Sequence, residues 1–220
     1  MNFVAQWYCI LMGIIVEMVF PKTCVNCGKI GKYLCNVCAN KVKTIGTDYK
    51  NKKIEGRIGL FKYNGVIKDL IKLIKFDLVS DAKTEISDLI VNQLKENYPN
   101  ILEYWQKNNF EIIPVPLHWR RKNWRGFNQA EIIANEVGNK INLLVKNNIV
   151  QRCINTKKQA TSNKIERQEN IKDAFKSLEK IPKNIIIFDD VWTTGNTIKN
   201  IIKIMPLKTK IWVLTLATGN

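Results

Sequence analysis

Lys183-Asn184-Ile185-Ile186-Ile187-Phe188-Asp189-Asp190-Val191-Trp192-Thr193-Thr194-Gly195-Asn196-Thr197 is the stretch on which the fold turns. The apolar run Ile185 to Phe188 is too short for a helix core and suits a strand buried on both faces. Two carboxylates and a small, hydroxylated loop follow. Ile198, Ile201, Ile202 and Met205 then recur at helical spacing. The order is strand, loop, helix, with the loop at the carboxyl end of a parallel strand, where open α/β sheets bind ligands.

The loop chemistry points to a phosphorylated sugar. Small residues at a helix N-terminus expose backbone N–H groups to an anion, and the helix dipole favours negative charge there. Thr193, Thr194 and Thr197 add hydroxyl donors, Asn196 adds an amide, and Gly195 can take a positive φ that lets a phosphate approach. Asp189 and Asp190 would repel phosphate, so they suit hydrogen bonds from ribose hydroxyls. No Lys follows the glycine in the Walker frame, which excludes that class of phosphate loop. The plain alternative is a strand followed by a capped helix.

The chain of 220 residues can hold one ordinary core and a small appendage. Its 35 basic and 19 acidic residues leave a formal charge of +16, which favours polyanionic partners. Many Asn, Ile and Lys residues also fit a lysine-rich bias of an AT-rich genome. Cys24, Cys27, Cys35 and Cys38 form two C-x-x-C pairs, the pattern of a tetrahedral zinc site with a closed, structural shell. Disulfides would need an oxidising compartment, at odds with a loop for a cytosolic metabolite. Cys9 and Cys153 stand apart.

Residues 1–20 are apolar, and the run 3–20 is nearly long enough to span a bilayer. No basic segment precedes it, Gln6 and Glu17 interrupt it, and Pro21 to Cys24 make a poor cleavage site. A helix packed on the protein or lying on a membrane is expected. Residues 21–47 hold the zinc-ribbon-like module and a basic linker, and 52–220 the main domain. Arg57 to Tyr63 alternate as a strand would. Val66 to Phe76 give an amphipathic helix with Lys68, Lys72 and Lys75 on its polar side, and a second helix is expected over 81–97. Glu111 to Pro116 read as a short buried strand ended by prolines.

Leu117 to Gln129 make a second candidate site. Arg120, Arg121, Lys122 and Arg125 place four cations in six residues, beside Trp119 and Trp124 and ahead of a helix expected over 128–140. Cations at a helix start suit a diphosphate. Arg interleaved with Trp also suits single-stranded nucleic acid, whose bases stack on aromatic faces. A solvated basic loop is the bland alternative. Residues 142–149 are expected to form a strand, 152–175 a long loop of the sort that folds over a ligand, and 210–216 a last strand.

The stretch from Ile185 to Thr197 resembles the PRPP-binding motif of type I phosphoribosyltransferases, a hydrophobic strand, an acidic pair and T-T-G-x-T. The resemblance implies that fold, a twisted parallel sheet flanked by helices. It gives the 5′-phosphate to Thr193–Thr197 and the ribose to Asp189 and Asp190, with Val191 in the same motif. Val115, Pro116, His118, Arg120, Arg121, Arg125, Gly126, Phe127, Asn128 and Gln129 narrow the match to the ComF family of competence proteins. Arg152, Thr156, Gln159, Arg167, Asn170 and Phe175 continue it. Thr161, Trp192 and the short spacing between the cysteine pairs depart from the family pattern.

That family implies a zinc finger joined to a phosphoribosyltransferase-like domain that binds PRPP with Mg²⁺. Pro116, Leu117, His118, Arg120 and Arg121 would line its pyrophosphate loop, and Arg152, Gln159 and Arg167 its flexible loop. His118, the one histidine, suits ligand orientation better than proton transfer. Arg120, Arg121, Lys122, Trp124 and Arg125 would contact single-stranded DNA. The function implied is cytoplasmic DNA handling in natural transformation, with a peripheral contact to the inner membrane or DNA-translocation machinery left open. The alternative is a genuine phosphoribosyltransferase of nucleotide metabolism, similar to amidophosphoribosyltransferases, with its acceptor unspecified.

Overall fold

A strand does form at Asn184–Trp192, with Ile185, Ile186, Ile187 and Phe188 all fully buried. It lies in a computed structural model that describes residues 21–47, 53–76, 82–117, 123–124, 126–153 and 174–219. The expected N-terminal helix over 1–20 falls outside those residues. The chain divides into two compact units, Met1–Val42 and Lys43–Asn220.

In the first unit, a bridge between Thr23 and Ile30 and the short helix α1 (Asn36–Ala39) frame the cysteine pairs. The second unit holds, in order, β1 (Thr44–Thr47), β2 (Gly56–Lys62), α2 (Gly65–Phe76), α3 (Ala82–Asn97), α4 (Pro99–Lys107), β3 (Glu111–Pro114), α5 (Gln129–Ile141), β4 (Val150–Arg152), β5 (Phe175–Ser177), β6 (Asn184–Trp192), α6 (Asn196–Lys203) and β7 (Lys210–Thr218). The main sheet runs β1-β2-β7-β6-β3, parallel except for antiparallel β1 at one edge. β4 and β5 pair separately, antiparallel. The result is mixed α/β with a parallel-dominated sheet.

Helices cover both faces. α5 lies over the face that presents Ile112: a Cβ on Gly138 would stand 3.7 Å from Ile112 Cδ1 and only 2.4 Å from Val145 Cγ2. α6 lies over the other face, where Ile198, Ile201 and Ile202 join Ile113, Ile185, Ile187 and Val213 in one core. From β3 the chain passes through α5 to Val145, which bridges Ile112 in parallel outside β3. From β6 it passes through α6 to β7, in the opposite direction along the sheet. The topology therefore switches between β3 and β6, and the crevice beyond their carboxyl ends is where such sheets take ligands.

Some expectations change. β2 does not alternate: it is buried from Gly56 to Phe61, as an interior strand is when both faces of its sheet are covered. Residues 142–149 add single bridging contacts, Ile112 N to Leu144 O and Lys146 N to Ile112 O, rather than a full strand. Thr44–Thr47, read as linker, pairs with β2. α4, whose Leu102 and Trp105 are buried, adds a helix with Pro99 at its start. Among the described residues, no helix is long and apolar enough to cross a membrane.

Candidate functional site

The acidic pair sits where β6 leaves its core. Asp190 is buried, with 6% of its surface exposed, while Asp189 keeps part of its surface open. Asp189 Oδ1 accepts from Asp190 N at 2.9 Å and Asp190 Oδ1 from Val191 N at 3.0 Å, so the strand end folds back on its own carboxylates. Asp190 Oδ2 also pairs with the Lys75 ammonium from α2 and accepts from Gln129 Nε2 at 3.5 Å. Lys75, expected on the polar side of its helix, instead turns to the site with 22% of its side chain exposed.

The two carboxyls are driven apart electrostatically. Burial, and next the neighbouring Asp190 charge, push Asp189 well above the usual carboxylate range. Burial, the largest single influence, would raise Asp190 too, but the Lys75 ammonium and hydrogen bonds with Asp189, Lys75 and Gln129 together hold Asp190 below that range. Asp190 is thus the fixed anion of the pair. Asp189 is the one poised between charged and neutral forms, able to donate or accept a hydrogen bond.

Beyond Trp192 the loop turns at Gly195, which caps α6 with φ 70° in the left-handed region. Thr193 and Thr194 are exposed and Thr197 is partly so, which leaves their hydroxyls available to a ligand. Thr194 Oγ1 accepts from Asn196 N at 3.4 Å, and Lys199 Nζ donates to Thr194 O at 3.2 Å. Lys199 brings a cation to the loop that motif reading passed over. Its position in the first turn of α6 was the available signal.

The loop after β3 reaches the same place from the other side of the switch. Pro116 and Leu117 are partly exposed at the end of β3. Asn128 caps α5 by accepting from Ala130 N at 3.2 Å, and its Nδ2 donates to Val115 O at 3.1 Å. Gln129 then meets Asp190. Asn128 and Gln129 therefore tie the β3 exit at Val115 to the acidic pair. Trp124 is 75% exposed, as a base-stacking role requires. His118, Arg120, Arg121, Lys122 and Arg125, and Gln159 and Arg167, lie outside the described residues. Arg152 stands in β4 with its guanidinium 5.5 Å from the Phe175 ring centroid.

The cysteine site is separate. The four Sγ atoms of Cys24, Cys27, Cys35 and Cys38 all lie within 4.8 Å of one another, with Cys27 and Cys35 3.6 Å apart. A tetrahedron with Zn–S bonds of about 2.3 Å spaces its sulfurs about 3.8 Å apart. The thiols are not joined as disulfides. Burial acts to raise the Cys24 thiol, yet hydrogen bonds from the Cys35, Asn26 and Cys27 backbones lower it to about 6. At Cys38 the Asn26 amide, donating at 3.2 Å, lowers the thiol, but burial and the three other sulfurs push it up to about 11. Four converging thiols with one already inclined to ionise fit a metal ion such as zinc.

The fold and sites define an α/β protein with an acidic pair and a threonine loop at a sheet switch point and a four-cysteine module able to bind zinc. Its homologues are named competence and DNA-utilization proteins. Competence protein F of Haemophilus influenzae is 36% identical over 98 residues, 43% of either chain. Competence protein ComFC of Bacillus subtilis is 27% identical over 195 residues, 80% of this chain and 75% of that one. DNA utilization protein YhgH of Escherichia coli K12 is 32% identical over 96 residues, 43% of this chain and 42% of that one. The alignments to Competence protein F and YhgH thus span less than half of those proteins. No protein-family profile matches the chain. Among solved structures, Leishmania donovani UMP synthase aligns with 83% of this chain and 30% of that one, at 14% identity and a TM-score of 0.34, too loose a likeness to bear on function.

Proposed function

We propose that this protein binds a phosphoribosyl ligand of the PRPP type in the β3–β6 crevice and handles single-stranded DNA in the cytoplasm during natural transformation. The observation that carries the ligand reading is the junction of the Asp189–Asp190 pair with a left-handed Gly195 and an exposed threonine loop at the start of α6. Thr193 to Thr197 take the 5′-phosphate, and Asp189 and Asp190 take the ribose hydroxyls. The carboxylates are hard oxygen donors that fit Mg²⁺, which when bound would neutralise pyrophosphate charge. Lys75 and Lys199 place further cations within reach of the same ligand. The competence and DNA-utilization names of the homologues, the formal charge of +16 and the exposed Trp124 support the DNA half.

The test is calorimetric titration with PRPP–Mg²⁺ of wild type and Asp190→Ala, with and without a short single-stranded oligonucleotide. Saturable binding that Asp190→Ala abolishes is expected. DNA affinity should fall steeply with added salt, because bound cations release counterions from phosphate. No PRPP binding and a flat salt response would overturn the proposal.

A second reading, transfer of the phosphoribosyl group to an acceptor with departure of pyrophosphate, is favoured by one observation. Lys75 brings an ammonium to the acidic pair that holds the ribose, next to the carbon from which pyrophosphate would depart, and a developing negative charge there needs cations. Pyrophosphate release dependent on an added nucleobase, amine or DNA would establish it.

A further inference from the structure

Among the described residues, Arg57 is the one buried arginine or lysine, at 6% exposure. Register sets it beside Val213, and Val213 beside Ile187, so it stands on the sheet face that carries α6. Its Cζ lies 4.8 Å from the Trp192 ring centroid, and its Nη1 donates to Thr218 Oγ1 at 3.5 Å. The same indole presses on the loop. A Cβ on Gly195 would meet Trp192 Cζ2 at 2.2 Å and Cη2 at 2.7 Å. Gly219 N holds the Trp192 carbonyl at 2.6 Å. Guanidinium, indole and loop glycine thus form one continuous contact behind Thr193–Thr197.

Two consequences follow from that stacking. The indole occupies the space that any other residue at 195 would need, so the loop's left-handed turn depends on where the indole lies. In buried surroundings the field of a guanidinium is less screened than in water. Arg57 therefore adds positive charge behind a loop whose front offers N–H and hydroxyl donors.

We propose that Arg57 is a positioning residue for a phosphomonoester dianion: acting through Trp192, it fixes the Gly195 turn and favours the doubly charged phosphate. The proposal rests on the phosphate-loop reading given above. It assigns Trp192 to the transmission of that charge and shape.

The experiment titrates ribose 5-phosphate by calorimetry at pH 5 and pH 7.5 into wild type, Arg57→Met and Arg57→Lys, with thermal melting of each as a folding control. A phosphate takes its second charge near a pKa of about 6. Wild type should gain affinity between the two pH values. Asp189, Asp190, Lys75 and Lys199, which face the same ligand, are common to all three proteins, so the difference in gain between them reads Arg57. Arg57→Met should bind roughly 5–20-fold more weakly at pH 7.5 and gain less between them. Arg57→Lys should keep the pH gain while losing part of the affinity, because an ammonium does not lie flat on an indole. Arg57→Met with the wild-type affinity and pH gain overturns the proposal alone. Equal weakening at both pH values marks a purely structural role and overturns it as well. Should Arg57→Met fail to fold, a folded Arg57→Lys without the pH gain has the same force. No binding by wild type at either pH removes the phosphate-loop reading itself, and the proposal with it.

Discussion

Asp189 and Asp190 are neighbours with opposite tasks, and pH separates them. Asp190 has a depressed folded pKa, so it contributes stability above its unfolded value near 3.9, and loses it as pH falls through the folded value. Asp189 has a raised folded pKa, so its ionisation costs stability as pH rises from the unfolded value through the folded one. Asp189→Asn should therefore raise the urea midpoint at pH 7 and lose that advantage at pH 3. Asp190→Asn should cost roughly 2–3 kcal/mol at pH 7, since it strands the partly exposed Lys75. Both variants should weaken PRPP binding. A site that becomes more stable when one acidic group is removed is a site kept under strain for a ligand.

At the scale of elements, the start of α5 joins two loops. Asn128 holds both the helix cap and a buried carbonyl of the β3 exit. Asn128→Ala should cost about 2–3 kcal/mol, a lost cap plus an unsatisfied Val115 carbonyl. It should also weaken PRPP binding, because Gln129 follows it to Asp190. Gly138→Ala should destabilise by about 1–3 kcal/mol, since its Cβ would lie 2.8 Å from the Leu143 backbone oxygen, which cannot swing aside. Denaturant unfolding at fixed pH measures both.

Much of this was legible in the chain, for local reasons. Ile185 to Phe188 offer no helical spacing, so a strand was the one element they could form. Asn128 precedes an apolar helical pattern and reads directly as a cap. Thr44–Thr47 reads as linker because Ile45, its one large apolar residue, stays 44% exposed even in the strand. The pairing of Val150–Arg152 with Phe175–Ser177 joins segments with no local signal for each other. The same limit hid Lys75 and Arg57. A cation reads as surface until its counterpart, here Asp190 or the Trp192 ring, is brought from more than a hundred residues away.

At the scale of the molecule, the cysteine unit and the sheet unit have separate reasons to be ordered. Among its described residues the first has few buried side chains beyond Leu34 and the cysteines, so their order should depend on metal, as small metal modules generally do. A strong chelator should abolish hydrogen-exchange protection at the amides of Cys24, Gly28 and Ala39, each of which donates to a backbone carbonyl. The amides of Ile185 to Phe188, bonded within the sheet, should stay protected.

The sheet order has a further consequence for how the protein is made. β7 lies between β2 and β6, and nothing else joins those two strands. A ribosome adding about 5–20 residues per second needs about 10–30 s to pass from the end of β2 to the end of β7. For that interval the edge of β2 waits without its parallel neighbour, and β6 emerges with its inner edge equally bare. The newborn chain is thus at its stickiest just before β7 emerges, and its dependence on chaperones should be greatest there.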